Sequence, residues 1–129
     1  MRAPTVETFH ETISYCFNLV TQDMLGGPVR DEIFRLLERN GIRRSEVPLR
    51  FDDVVKVLTG AFGDSARILI FKVVVELHRE YSQRADFPYE DSLRERINLL
   101  KEKVLADLIK PRHLYLDDSF YVPSPIAPR

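Results

Sequence analysis

Three histidines and one cysteine are the side chains of this 129-residue chain with the best-known catalytic and metal-binding chemistry. No two of His10, His78 and His113 stand three or four residues apart, the spacing that places two metal ligands on one helix face. Cys16 lies on an apolar stripe, where a thiol behaves as a small hydrophobic group, and a single cysteine forms neither an internal disulfide nor a thiolate cluster. We therefore predict no catalytic residue, no metal site and no cofactor.

The residues around two of the histidines also argue against a catalytic role. His78 is close to Glu76 and Glu80 near the polar end of a predicted helix, and His10 has acidic neighbours as well. A histidine among carboxylates is more often solvated or salt-bridged than a general base. We expect both histidines to be such surface groups.

Two arginines near predicted helix starts form a candidate anion site. Gly26 and Gly63 each precede a helix whose first turn carries Arg30 or Arg67, and free amides at a helix N-terminus can hold a phosphate. The Lys and Ser/Thr of a P-loop are missing, and Asp64 would repel an anion. Helix capping is the better explanation of these glycines.

A basic patch surrounds the predicted loop over 41–50, and it consists of Arg39, Arg43, Arg44 and Arg50. A DNA-binding transcriptional regulator would place such a patch beside its recognition helix, which must present polar side chains to base edges. The neighbouring predicted helices are instead apolar or acidic, and 19 Lys plus Arg against 20 Asp plus Glu leave no positive excess. Nucleic acid is therefore the alternative partner, not the expected one.

The amino-acid composition is typical of a globular protein. Hydrophobic residues make up 44% of the chain and charged residues 30%, which suits a single globular domain with a sizeable core. The longest apolar run, over 68–75, is interrupted by Lys72 and is far shorter than the roughly 20 residues of a membrane helix. No apolar N-terminal run resembles a secretory signal. We expect a cytoplasmic protein without a membrane span.

Apolar residues at steps of three and four predict five helices, over about 6–23, 28–40, 52–62, 65–83 and 92–110. Candidate N-caps of the third, fourth and fifth helices are Asp52 or Asp53, Asp64 or Ser65, and Ser92, which stands in capping-box spacing with Glu95. The predicted fold is all-α, with a compact four-helix core over 1–90. Residues 91–129 add the fifth helix and an extended Pro-rich tail, as part of the same unit or as a dimerisation arm.

The four core helices read as two similar hairpins. A shift of 37 residues takes Gly26 to Gly63 and aligns three further identities, namely Arg30 with Arg67, Ile33 with Ile70 and Phe34 with Phe71. The predicted fourth helix is apolar around most of its circumference, which is typical of a helix in the middle of a core. We expect its neighbours to wrap it on nearly all sides and to leave no face free.

The fifth helix carries a narrow apolar seam with charged flanks, formed by Leu93, Ile97, Leu100, Val104 and Leu108. Such spacing is typical of coiled-coil contacts. The seam packs either along the core of the same chain or against a second copy, and we favour a homodimer. In the tail, segments 113–116 and 119–122 have the pattern of a small hairpin, although Asp117-Asp118 makes a poor turn.

Glycine, arginine and apolar positions over about residues 9–82 resemble the nitrosopumilus output domain family, small helical modules of archaeal signalling-type proteins. The matching positions are Leu25-Gly26, Ile33-Phe34, Gly41-Ile42, Glu46-Val47-Pro48, Phe62-Gly63, Ala66-Arg67 and Glu76-Leu77. The resemblance implies a signalling or adaptor role and brings no catalytic motif.

These observations predict a non-enzymatic interaction or signalling output module that acts as a homodimer. The aromatic and proline-rich tail over 111–129 is expected to dock on a protein partner or on the second subunit. The alternatives are the DNA-binding regulator and a small-ligand-binding or enzymatic protein. The last would need a pocket between the hairpins, with His78, Tyr81 or Arg67 inside it.

Overall fold

The computed structural model describes residues 4–89 and 92–114, and in that part of the chain it contains helices and no strand. The helices are α1 (Pro4–Leu25), α2 (Gly27–Arg39), α3 (Phe51–Phe62), α4 (Asp64–Glu80) and α5 (Leu93–Asp107), with a short 3-10 helix at Arg44–Glu46. The predicted all-α fold with five main helices is confirmed.

Helices α1 and α4 form the centre of the bundle. They run antiparallel, because the Tyr81 hydroxyl after α4 donates to Thr12 Oγ1 near the start of α1 at 3.3 Å, whereas Met24 at the end of α1 lies beside Phe71 and Val75. Helix α2 packs on α1, α3 packs on α4, and α5 contacts both central helices. One cluster of buried apolar side chains extends through all five helices.

Each hairpin turns at a single glycine. Gly26 has φ 89° and Gly63 has φ 63°, and both angles lie in the region where only glycine is free of strain. The next helix begins at the following residue in both hairpins. This sharp reversal explains why the predicted N-caps Asp64 and Ser65 are wrong: Gly63 is the N-cap, and α4 already includes both residues.

The remaining helix ends differ in detail from the predictions. The N-cap of α3 is Arg50, without a side-chain cap, so Asp52 and Asp53 lie in the first turn, where their charge complements the helix dipole. Ser92 caps α5 as predicted, and its Oγ accepts a hydrogen bond from the Glu95 amide at 3.2 Å. Helix α5 ends at Asp107 and not at Pro111, because Leu108 adopts a left-handed conformation.

The two hairpins have similar turns but different positions in the bundle. The central helices are the first helix of one hairpin and the second helix of the other, so α4 is central and its sequence counterpart α2 is peripheral. Ile33 and Ile70 are nevertheless both buried, as the alignment at a shift of 37 residues predicts.

The tail predictions fall mostly outside the described residues. The predicted hairpin over 113–122 and the Pro-rich tail involve residues 115–129, which the structure does not describe. His113 and Leu114 lie in a helical turn that follows Pro111, with the Leu114 amide bonded to the Pro111 carbonyl at 3.2 Å. The predicted strand therefore does not begin at His113.

Candidate functional site

The apolar seam of α5 packs within the chain. Leu93, Leu100 and Val104 are buried in the same cluster as the side chains of α1 and α4, and Ile97 packs against that cluster. Leu108 is 69% exposed because it lies past the end of the helix. Of the two arrangements open to the seam, the structure contains the intrachain one.

Helix α4, by contrast, is not wrapped on all sides. Its inner side is buried through Leu69, Ile70, Val73, Val74 and Leu77. On its outer side, Ile68 is 46% exposed and Val75 is only half-buried. The expectation that α4 leaves no face free is therefore wrong, because α2 packs on α1 and does not cover this side of α4.

The segment over 82–89 covers a second side of α4. The Phe87 ring lies 5.8 Å from that of Phe71 and 5.0 Å from that of His78. Tyr89 packs on Phe71 at 5.0 Å, and its carbonyl accepts a hydrogen bond from Arg67. The chain thus runs back along α4, and the outer side next to this segment stays open.

Four side chains line up along the open side of α4, and we call them the α4 stripe: Asp64, Ile68, Val75 and Arg79. At 100° per residue they fall within roughly 60° of one another around the helix. Asp64 and Arg79 are exposed. The α4 stripe therefore has an apolar middle, an acidic end and a basic end.

A shallow groove of about 290 Å³ borders the α4 stripe, and we call it the α1–α4 groove. Val20 and Met24 contribute its apolar wall on α1, while Phe71 and Val75 do so on α4. Asp23, Lys72, Glu76 and Arg79 add charges of both signs. The groove can take an apolar side chain and pair charges around it.

Further exposed apolar residues lie at the end of the bundle where both hairpins turn. We call this set the junction-end surface, and it comprises Met24, Leu25, Val29, Phe62 and Ile68, each between 40% and 47% exposed. Because α1 and α4 are antiparallel, the α1–α2 and α3–α4 turns lie at the same end. Scattered exposed apolar residues are ordinary, but a group beside a groove is typical of a binding surface.

A second concave region lies between α3 and α5. Two cavities of about 410 and 510 Å³ adjoin there and share Phe51, Asp52, Arg94 and Ile97. Arg94 on α5 reaches Asp52 on α3 at 3.3 Å, so this exposed ion pair crosses the cleft. We call this region the α3–α5 cleft. Of the three residues that the ligand-binding or enzymatic alternative would need in a pocket, Arg67 lines the cleft, and His78 and Tyr81 do not.

Two of the four arginines in the basic patch pair with nearby acidic groups. Arg44 lies over the Phe34 ring at 4.0 Å and 3.7 Å from Asp31. Arg50 pairs with Asp53 at 3.1 Å and donates to the Gly41 carbonyl at 2.7 Å. Arg39 and Arg43 are exposed. Together the four arginines form a surface of mixed charge.

The candidate anion site also has protein partners. Arg30 donates to Gln22 Oε1 at 2.6 Å and pairs with Asp31 at 3.1 Å. Arg67 lies over the Tyr89 ring at 4.9 Å and donates to the Tyr89 carbonyl. Arg30 therefore bonds within its own hairpin and Arg67 binds the 82–89 segment, and the two arginines do not converge on one site.

His78 is buried, so the expectation of a solvated or salt-bridged side chain is wrong. Its Nδ1 is 2.8 Å from the Val74 carbonyl, and Phe87 covers its ring. Burial lowers the pKa of His78, and the nearby charge of Arg96 acts in the same direction. The neutral imidazole is therefore favoured. His10 is half-buried, with its ring 6.5 Å from that of Phe9.

Glu80 and His113 form a buried contact that sequence reasoning did not find. Glu80 Oε1 accepts from the His113 backbone amide at 2.9 Å and lies 2.7 Å from His113 Nδ1. The Tyr15 ring stacks on His113 at 4.3 Å. This contact fixes the segment after α5 to the two central helices.

The thiol and the phenol of the core are unreactive in this environment. Burial raises the pKa of Cys16 well above its usual range, and the nearby Glu80 and Glu76 carboxylates raise it further. Burial likewise raises the pKa of Tyr81 to about 12. Both groups therefore stay protonated near neutral pH. In residues 4–89 and 92–114, no group of three His, Cys, Asp or Glu side chains is arranged to hold a metal ion.

Comparisons of the chain with protein-family models, with curated proteins and with solved structures return no match. Among the described helices, none combines the length and the hydropathy required to span a bilayer.

Proposed function

We propose that this protein is a non-enzymatic interaction module that acts as a homodimer in the cytoplasm. The observation that carries the proposal is the open side of α4, where Ile68 is 46% exposed and Val75 lines the α1–α4 groove. The seam of α5 packs within the chain, whereas the α4 stripe and the junction-end surface bring several exposed apolar side chains together beside a groove.

The physical argument rests on the hydrophobic effect. Removing apolar surface from water contributes roughly 25 cal/mol per Å², and a specific interface buries about 800 Å² on each partner. The junction-end surface supplies large apolar side chains, and the adjacent groove supplies a cavity for one of them. Mixed charges at the margin add specificity.

A signalling or adaptor role, with resemblance to the nitrosopumilus output domains, is part of this proposal. It is supported by the glycine turns at Gly26 and Gly63, which lie at two of the positions on which the resemblance depends. The C-terminal segment over 111–129 is the second proposed contact with a protein partner, because it is rich in aromatic residues and proline.

Sedimentation velocity over a range of protein concentrations tests the proposal. We expect the wild-type chain to form dimers and Ile68→Glu to abolish them, because a carboxylate on the α4 stripe would have to be buried. Leu99→Glu on α5 is the matched control, since Leu99 is 48% exposed and Ile68 46%. A monomeric wild-type protein, or a dimer that Ile68→Glu leaves intact, contradicts the proposal.

Small-molecule binding is a second candidate function, and the observation that favours it is the α3–α5 cleft. Its larger cavity of about 510 Å³ falls within the roughly 300–1,000 Å³ of ordinary ligand sites. A thermal-shift screen of small metabolites tests this candidate, with Ile97→Trp as the variant that fills the cleft. A ligand whose effect survives Ile97→Trp would not bind in the cleft.

A further inference from the structure

We propose that two copies pair through α4 in an antiparallel arrangement, with Asp64 of each copy next to Arg79 of the other. This inference rests on the proposed homodimer and adds the orientation of the two subunits. It follows from the order of the side chains in the α4 stripe and from their exposure.

The α4 stripe is symmetric about its own midpoint. The midpoint between Asp64 and Arg79 falls between residues 71 and 72, and so does the midpoint between Ile68 and Val75. At 1.5 Å per residue, each charged end is about 11 Å from that point. A two-fold axis through the midpoint therefore brings Ile68 against Val75 and Asp64 against Arg79 at both ends.

Charge selects this orientation over the parallel one. A parallel pair would set Asp64 against Asp64 and Arg79 against Arg79, and like charges repel. Asp64 is exposed and has no ion-pair partner among the described residues. Arg79 has a side chain that is 67% exposed, and it pairs with Glu76, one helical turn away, at the long distance of 3.6 Å. Both charged ends are thus accessible to a second copy.

Lys72 is the cation closest to the midpoint, and two copies of it would approach one another. Its long stem lets the ammonium group turn toward Asp23 or Glu76, which line the same groove. Lys72→Met removes the like charge from the centre, so we expect this variant to dimerise more tightly than the wild type.

The two-fold symmetry of the contact also limits the assembly to two copies. A two-fold contact uses the same surface on both copies, so it stops at the dimer and does not extend into fibres. The seam of α5 remains outside the contact, whereas Asp64 lines the larger cavity of the α3–α5 cleft as well as the proposed contact. The proposal therefore places one edge of the cleft beside the second copy.

Charge reversal in the full chain tests the orientation by sedimentation equilibrium. Asp64→Lys and Arg79→Glu each place like charges at both ends of the dimer, and we expect each to raise the dissociation constant about tenfold. The double variant Asp64→Lys/Arg79→Glu restores opposite charges and should regain wild-type affinity. Salt at 1 M, where the Debye length is about 3 Å, should remove these differences.

An equimolar mixture of the two single variants provides an independent test of the antiparallel orientation. In the mixed dimer, the lysine introduced at position 64 faces the glutamate introduced at position 79, and native Arg79 faces native Asp64. This dimer should therefore form more readily than either single-variant dimer. Glu38→Lys on exposed α2 is the control for a change of net charge alone, and thermal melts show whether each variant is folded.

The outcomes separate this inference from the proposed function. If Ile68→Glu disrupts the dimer but the charge reversals do not, or if the double variant is no better than the single ones, the antiparallel orientation is wrong and the homodimer stands. If the wild-type chain is monomeric at every concentration, both proposals are overturned.

Discussion

Helices α4 and α5 differ from one another in how much of their apolar surface the rest of the chain covers. Helix α4 contains the longest apolar run of the sequence, over 68–75 with Lys72 as its one interruption, yet Ile68 and Val75 leave one of its sides open to solvent. Helix α5 has only a narrow apolar seam among charged residues, yet Leu100 and Val104 are completely packed within the chain. The amount of apolar surface on a helix therefore does not determine how much of it is covered.

The difference arises from the positions of the neighbouring helices. Helix α5 contacts both central helices, so one narrow seam suffices to bury it. Helix α4 has α1, α3 and α5 on its inner side, while α2 packs on α1. The outer side of α4 is thus the side that α1, α3 and α5 leave uncovered.

The largest effect is expected from a charge in the α5 seam. Leu100 is 4% exposed, so Leu100→Glu buries a carboxylate without a partner and should lower the free energy of unfolding by about 4 kcal/mol or more. Leu99→Glu, one residue away and exposed, should change it by less than about 0.5 kcal/mol. Urea unfolding measures both. A folded, soluble monomer of Leu100→Glu would contradict intrachain packing of the seam.

A smaller effect is expected at the far end of α4, where the chain after α5 covers the helix. Glu80→Ala removes the acceptor of the His113 amide and ring, so it should cost about 1–3 kcal/mol. Hydrogen exchange should also accelerate at the His113 amide. Glu76→Ala is the control, because its ion pair with Arg79, whose side chain is 67% exposed, is long at 3.6 Å and contributes less than about 1 kcal/mol. Unchanged exchange at His113 in Glu80→Ala would show that this contact is absent in solution.

Because His78 is buried under the 82–89 segment, we expect the free energy of unfolding to depend on pH. Burial lowers the pKa of His78 below its ordinary value of 6.5, so the unfolded chain binds more protons than the folded chain just below that pH. The free energy of unfolding contributed by His78 is therefore lost as the pH falls through this range, at no more than about 1.4 kcal/mol per pH unit.

Urea unfolding of the wild type and of His78→Gln between pH 5 and pH 8 checks this contribution. The difference between the two proteins should isolate the contribution of His78 from that of the other titrating groups. An NMR titration in which the His78 ring protonates above pH 6.5 would contradict its burial under Phe87.

The smallest effect is expected on the open side of α4. Ile68→Ser should change the free energy of unfolding of the dilute monomer by less than about 0.5 kcal/mol. Ile70→Ser is the matched control on the buried side, at 2% exposure, and should cost about 2–5 kcal/mol. A comparable loss in both variants would show that Ile68 is covered by this chain.

The helices were predictable because their patterns are local. Steps of three and four mark all five helices, and Gly26 and Gly63 mark both turns. The N-cap assignments at Asp64 and Ser65 failed because Gly63 ends one helix and starts the next. A cap is a property of the turn geometry, which the residue types alone do not define.

The burial of His78 and Glu80 was missed because the groups that cover them lie outside α4 and its local pattern. Phe87 folds back from a segment that reads as a linker, and His113 arrives from 33 residues later. Two aromatic residues in that linker, Phe87 and Tyr89, were the signal that it packs on the core.

The open side of α4 did leave a signal in the sequence. Asp64, Lys72 and Arg79 recur along the outer side of an otherwise apolar helix, at spacings of eight and seven residues that keep them on related faces. The interruption of the apolar run by Lys72 was visible, but the apolar content of the helix as a whole outweighed it. The position of the charged residues was more informative than the number of apolar ones.

The most direct test compares the two helices in one experiment. Backbone amide NMR spectra of the wild-type chain, recorded at increasing protein concentration, report which residues enter a contact between copies. We predict that shifts and broadening concentrate in residues 61–79 and at Asp23, Met24 and Leu25. Changes confined to residues 93–107 would contradict the account, because they would identify α5 and not α4 as the surface that binds a second copy.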